Sequence, residues 1–398
     1  MIRRNPIAIF LPLIVGIAAG IACIFAALNP GSRSDFFVAY LFACWFWLGI
    51  SLGGLVLPML HTLTGGNWGR TVRRIGEASS LVTPLMLLLW IPLLFGLHHL
   101  YVWTNPDEVA RETVLQHRLP YLNIPFFLAR IAGCFAIWIA LVFIQITLSR
   151  KVERTGNERT RSALRGWSAA GLILYLLTMT HAGCDWIMSR DIEFYSTTFG
   201  FVLTTGQTLA GLAFVILILA LVGRHDKPHP LALATRKGIL NDVGNILLTL
   251  VILWSYVTFM QLLVIWMGNT GEDNVYYLQR GLGQPSPWRW VGLSLIVLNF
   301  FIPFFLLLFR ATKQYLPALT AIAAILFLIH LVEVFWLIAP SGDHKGPEFH
   351  LAWIDFVAPV AVGGLWLALF FFLLPERLAA AAAVLNNPPP AESEVAHA

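Results

Sequence analysis

Ten stretches of this chain are each apolar for about twenty residues or more, the length a helix needs to cross the hydrocarbon core of a bilayer. They cover 6–28, 36–63, 78–101, 124–149, 167–189, 196–222, 239–267, 288–309, 314–338 and 352–374. Composition explains why an aqueous fold is excluded: of 398 residues, 58% are hydrophobic and only 12% charged, against about a quarter charged in an ordinary soluble domain. In lipid a segment must satisfy its own backbone, so the spans are helices. The sequence predicts an all-α membrane protein with ten transmembrane helices. The first run follows Arg3-Arg4, but at roughly 22 residues it exceeds a signal-peptide core and is read as a span. Cys23, Cys44, Cys134 and Cys184 lie in apolar runs without CxxC spacing, which argues against a disulfide framework or a cysteine-held metal cluster.

Lys and Arg between the spans set the orientation. Eighteen of the 26 fall at the N-terminus, in the even-numbered loops and after the last span, and seven in the odd loops and their margins. Both termini are therefore expected in the cytoplasm. The remaining one, Arg130, falls inside the fourth span. After residue 378 come an alanine run, Asn386-Asn387 and Pro388-Pro389-Pro390, with no recurring apolar face, the composition of a disordered tail.

A weak internal repeat appears at an offset of four spans. The third and seventh spans each open with one acid after a basic loop, Glu77 and Asp242. The fifth and ninth each close with a histidine, an acid and a tryptophan: His181, Asp185 and Trp186, then His330, Glu333 and Trp336. The second and sixth carry small-residue stripes, Gly49 with Gly53-Gly54 and Gly206 with Ala210-Gly211, of the kind that lets backbones approach. An even offset preserves direction, so the predicted architecture is two pseudo-symmetric four-helix bundles plus two peripheral helices. Residues 1–35 hold the first peripheral helix and its loop, 36–190 the first bundle, 191–340 the second, 341–378 the other peripheral helix, and 379–398 the tail.

Charge at membrane depth costs about 2.5–3.5 kcal/mol on insertion scales, so each ionisable residue there is a candidate for function. His61, Glu77 and Asp242 sit toward the cytoplasmic side. His98, His99, Arg130, His181, Asp185, His330, Glu333 and Asp355 sit toward the other. Between them lie only weak polar groups such as Thr83, Tyr175, Thr178, Asn245, Thr249 and Ser255, the arrangement expected of two proton half-channels. His181 with Asp185 and His330 with Glu333 are at i, i+4 and i, i+3, so each pair shares a helix face. Structural roles compete with this reading. Glu77, Asp242 and Asp355 in first turns complement a helix dipole, His61 suits an interface, and Arg130 is a counter-ion for a buried acid. A bis-histidine haem site would need His98 or His99 to face His181 or His330 across the bundle, which fits the acid neighbours poorly. No HExxH, no P-loop and no feature for nucleic acid is present; neither a catalytic residue nor a metal site is expected.

Several segments together resemble one family. LTGGNWGRTVRRIGEA (Leu63 to Ala78), FGLHHLYVW (Phe95 to Trp103), LTMTHAGCDWIMS (Leu177 to Ser189), EFYSTTFG (Glu193 to Gly200), NDVGNILLTLVILWSYVTFMQLLVIWMGN (Asn241 to Asn269), VEVFWLIAP (Val332 to Pro340) and DFVAPVAVGGLWLALF (Asp355 to Phe370) are similar to the ActF-type, NrfD/PsrC-like membrane subunit of bacterial alternative complex III. The resemblance implies ten spans in two four-helix bundles, in the bacterial inner membrane, within a complex that oxidises menaquinol or ubiquinol. It implies as partners a paralogous ActC-type membrane subunit, an iron-sulfur subunit, multihaem and monohaem c-type cytochromes and, downstream, a cytochrome c or a terminal oxidase. Haem c and iron-sulfur clusters would sit in those partners, and this chain would hold no redox centre. Glu77, His98, His99, His181, Asp185 and Asp242 would carry over as members of a proton pathway, and Glu333 fits its motif; His330 has no assignment from the family pattern. A secondary transporter, or a purely structural anchor, is the alternative from another class.

Overall fold

The computed structural model describes residues 5–191, 194–223, 237–269, 271–282, 286–341 and 349–386, and among them the chain is all-helical, without a β-strand. Nine helices among the described residues are long and apolar enough to cross a membrane, which makes this a multi-pass membrane protein. The long helices are α1 (Pro6–Leu28), α2 (Arg33–Thr64), α3 (Gly69–Ser80), α4 (Thr83–Leu94), α5 (Ile124–Thr155), α6 (Glu158–Trp186), α7 (Phe199–Gly223), α8 (Lys237–Gly268), α9 (Pro287–Leu295), α10 (Ile302–Leu308), α11 (Leu316–Ile338) and α12 (Ile354–Asn386). The spans Val72–Leu94 and Pro287–Leu308 are built from α3 with α4 and from α9 with α10. The fifth predicted span, α6, is 29 residues long but falls outside the nine, because Ser168, Thr178, Thr180 and His181 dilute its apolarity. We call the face at which α1 begins the near face and the opposite one the far face.

Three sequence expectations need correction. The third span does not begin at 78: helix already forms at Gly69, so Glu77 lies more than two turns inside α3 and caps nothing. The helix breaks at Leu81-Val82 because Pro84, at the start of α4, cannot donate to the preceding turn. The eighth span is not a plain helix: Ile296–Phe301 is π-helical, between α9 and α10. Residues 379–386, expected in a disordered tail, continue α12, since alanine is the strongest helix former and nothing interrupts the run. The rest of that tail, 387–398, and the basic loop at 224–236 lie outside the described residues.

Burial is uneven. In its most apolar stretch α2 is 94% buried and α7 83%, against 11% for α1. The two small-residue stripes meet here, for a Cβ on Gly211 would lie 2.9 Å from the Gly53 carbonyl carbon. The backbones of α2 and α7 can touch only because both residues are glycine. Around α2 pack α3, α4, α6 and α12; around α7 pack α6, α8 and α11, and α1 lies along α12. Aromatic rings fill the centre, with Trp186 against Trp45, Trp90, Trp138 and Phe135.

Candidate functional site: buried acids at two faces

At the near face, Glu77 is buried between two cations. Arg73 Nε donates to it at 3.0 Å and Arg74 Nη1 at 3.3 Å, while Glu153 from α5 forms ion pairs with Arg73 Nη2 at 3.0 Å and with Arg74 Nη2 at 2.6 Å. Two acids and two arginines thus neutralise each other inside the protein. The Ser149 hydroxyl donates to Glu77 at 2.9 Å, and from there a polar line enters the membrane. One turn on, Gln145 accepts from the Ser168 hydroxyl of α6 at 3.2 Å. Farther along α6, the Tyr175 hydroxyl donates to Gln207 of α7 at 2.7 Å. Between these two pairs the line is apolar: Gly171 sits against Met59 and Leu141.

At the far face two acids stand apart. Asp185 of α6 accepts from Arg130 Nε of α5 at 2.6 Å. The Arg130 guanidinium also donates to the Tyr121 carbonyl at 2.9 Å and lies over the Tyr121 and Phe126 rings, 3.9 and 4.4 Å from their centres. In the loop before α5, partial burial and then the Asp185 carboxylate push the Tyr121 phenol up from its ordinary value. Glu333 of α11 is also buried; it accepts from the Trp254 indole of α8 at 2.6 Å and faces His330 Nδ1 at 2.8 Å.

The structure sorts the predicted residues. His330 and Glu333 are bonded as the spacing suggested, whereas His181 is exposed and Asp185 has Arg130 as its bonded partner. His61 faces the Gly66 carbonyl at 3.0 Å in the turn after α2 and stacks edge-on against Trp68. His98 and His99 are exposed at the far face, His99 parallel to Phe37. Asp355 accepts from the Ala352 amide at 2.8 Å, which is the capping role considered for it. Asp242 is half-buried in the second turn of α8, one turn before Asn245, which accepts from the buried Lys313 at 2.7 Å. Lys313, between the eighth and ninth predicted spans, turns inward from the short helix Arg310–Gln314.

Sequence reasoning missed Gln145, Ser149, Ser168 and Gln207. Their signal was periodicity: Gln145 and Ser149 are four apart, Ser168 and Tyr175 seven, so each pair marks one helix face. It also missed a far-face cavity of about 90 Å³ lined by Asp35, His99, Arg190, Ser341, His350 and Asp355, which joins residues distant in the chain. There His350 Nε2 lies 3.4 Å from Asp35. Among the described residues, no group of three or more histidine, cysteine or acidic side chains is placed to hold a metal ion. No protein-family model matches the chain, and no curated protein matches it.

Proposed function

We propose, first as a class, that this is a membrane subunit whose buried acids move protons between the two faces. More particularly, it is the ActF-type subunit of a quinol-oxidising complex in the bacterial inner membrane, with both termini cytoplasmic, so that the near face is the cytoplasmic one. The observation that carries this reading is the pair of buried acids on opposite sides, Glu77 and Glu333, each held by side-chain donors and approached by polar groups through an apolar interior. Buried carboxylates are costly in a structure that only anchors other subunits. The sequence segments that resemble the family supply the rest: ten spans, with α6 as the tenth, two bundles of four centred on α2 and α7, an ActC-type paralogue and iron-sulfur and cytochrome c partners. In this reading the chain carries no redox centre, and menaquinol or ubiquinol is the electron donor.

The test is isolation of the chain from its native membrane, followed by measurement of protons moved per electron in sealed vesicles. Co-isolation with haem c and iron-sulfur subunits, and a ratio lowered by Glu333→Gln and by Asp242→Asn, are expected. A chain that isolates alone, or a ratio that both substitutions leave unchanged, overturns the proposal. Secondary transport is the second reading, and one observation favours it: the break at Leu81-Val82 and the π-helical turn Ile296–Phe301 interrupt two spans, as transporter helices are interrupted around their substrates. Substrate uptake by the isolated chain in liposomes would select it.

A further inference from the structure

Gln207 and His330 each carry a buried nitrogen without a hydrogen-bond partner, Nε2 in both cases. Both side chains are more than nine-tenths buried. Buried polar atoms are rarely left unpaired, and where two complementary ones share a site an internal water is the common solution. Here they are complementary. With His330 Nδ1–H donating to Glu333, Nε2 is an acceptor, while the Gln207 amide nitrogen is a donor.

The two side chains are also neighbours. Gly206 lacks the Cβ that would lie 3.2 Å from His330 Cε1 and 3.4 Å from a Glu333 oxygen, so the imidazole packs directly on the turn of α7 that bears Gln207. On α2, Phe46 contacts the His330 ring, with centroids 5.8 Å apart, and one turn later Gly49 leaves room for the Gln207 side chain. Depth agrees as well: Gln207 is eight residues from the far end of α7 and His330 eight from the far end of α11. At 1.5 Å per residue both lie about 12 Å below that face.

We propose that Gln207 is a positioning residue that holds a water against His330 and so joins the two halves of the protein about a third of the way in from the far face. Tyr175 fixes the Gln207 amide from the α6 side. The water receives one proton as it hands another to His330 Nε2; the ring then releases its Nδ1 proton to the Glu333 carboxylate. One proton enters the imidazole as one leaves, and the carboxylate ends neutral. Protons that reach the Gln207 water from the first half then pass into the Glu333 side of the second, instead of crossing each half separately. The connection rests on the proton-moving reading above, but the water does not.

An experimental structure of the full chain at water-resolving resolution tests the site directly. Density within hydrogen-bond distance of both Nε2 atoms is expected, retained in Gln207→Glu and lost in Gln207→Leu; direct apolar contact there overturns the proposal. In sealed vesicles of the native complex, Gln207→Leu is expected to lower the protons moved per electron by at least half, with Gln207→Glu restoring most of the loss. If Glu333→Gln lowers the ratio and Gln207→Leu does not, the connection is wrong and the proton-moving reading stands. If neither lowers it, both fall.

Discussion

Asp185 and Glu333 occupy corresponding places near the far ends of α6 and α11, yet they are neutralised in opposite ways. Asp185 faces a guanidinium that is always charged, anchored in turn by a backbone carbonyl and two rings. Glu333 has an indole N–H and an imidazole, and among the described residues no arginine or lysine bonds to it. A fixed cation matches a carboxylate charge for charge, so neutralising the acid would leave the guanidinium as a buried ion without its partner. An imidazole can exchange a proton with its partner, so only the second site can change its charge without leaving a buried ion unpaired. The sequence repeat placed a histidine one turn from each acid, but only one of the two histidines turns inward.

The contrast breaks most visibly at Arg130. Arg130→Ala leaves the Asp185 carboxylate buried without its cation, and loss of one partner of such a pair costs about 3–5 kcal/mol. A clear drop in thermal stability of the detergent-solubilised protein is expected, and the double substitution Arg130→Gln with Asp185→Asn should recover most of it. Unchanged stability in Arg130→Ala would mean that Asp185 is not matched charge for charge, and the two acids would then be alike.

A smaller effect is expected at Trp254. Trp254→Phe keeps an aromatic ring between α8 and α11 but removes the N–H that donates to Glu333. A hydrogen bond to a charged group contributes about 1.5–3 kcal/mol, one to a neutral group about 0.5–1.5 kcal/mol. The measured loss therefore reports the charge carried by Glu333. If it depends on pH while the loss in Arg130→Ala does not, the contrast is sharpened.

What the sequence could reveal followed from what is periodic or locally spaced. Apolar runs marked the membrane helices, and the small-residue stripes marked faces open to close approach, because both are patterns along one helix; that the two striped faces meet each other came only from the packing. His330 with Glu333 was legible for the same reason. Arg130 with Asp185 was visible only as a demand, an acid in need of a counter-ion, since their 55-residue separation carries no spacing rule. Gln207 with Tyr175, and the far-face cavity, depend on how α6, α7 and α11 pack, which no local pattern encodes. Helix limits failed where intrinsic propensity competed with hydropathy: residues 69–77 are too polar to be read as part of a span, and an alanine run reads as low complexity although alanine favours helix.

Glu333→Gln gives the smallest expected change in stability and the most direct test of the contrast. Glutamine has nearly the same shape, its carbonyl can still accept from Trp254, and its amide can donate to His330 once the ring adopts the other tautomer. The bonds survive, so the stability change should stay within about 1 kcal/mol. What is lost is the capacity to take up and release a proton, and a lowered ratio of protons to electrons at unchanged quinol oxidation is the expected outcome in sealed vesicles. Asp185→Asn should behave the other way in stability, because it leaves the Arg130 cation buried beside a neutral amide. A Glu333→Gln protein destabilised as much as Asp185→Asn would show that Glu333 is a permanent anion, matched by its surroundings much as Asp185 is matched by arginine.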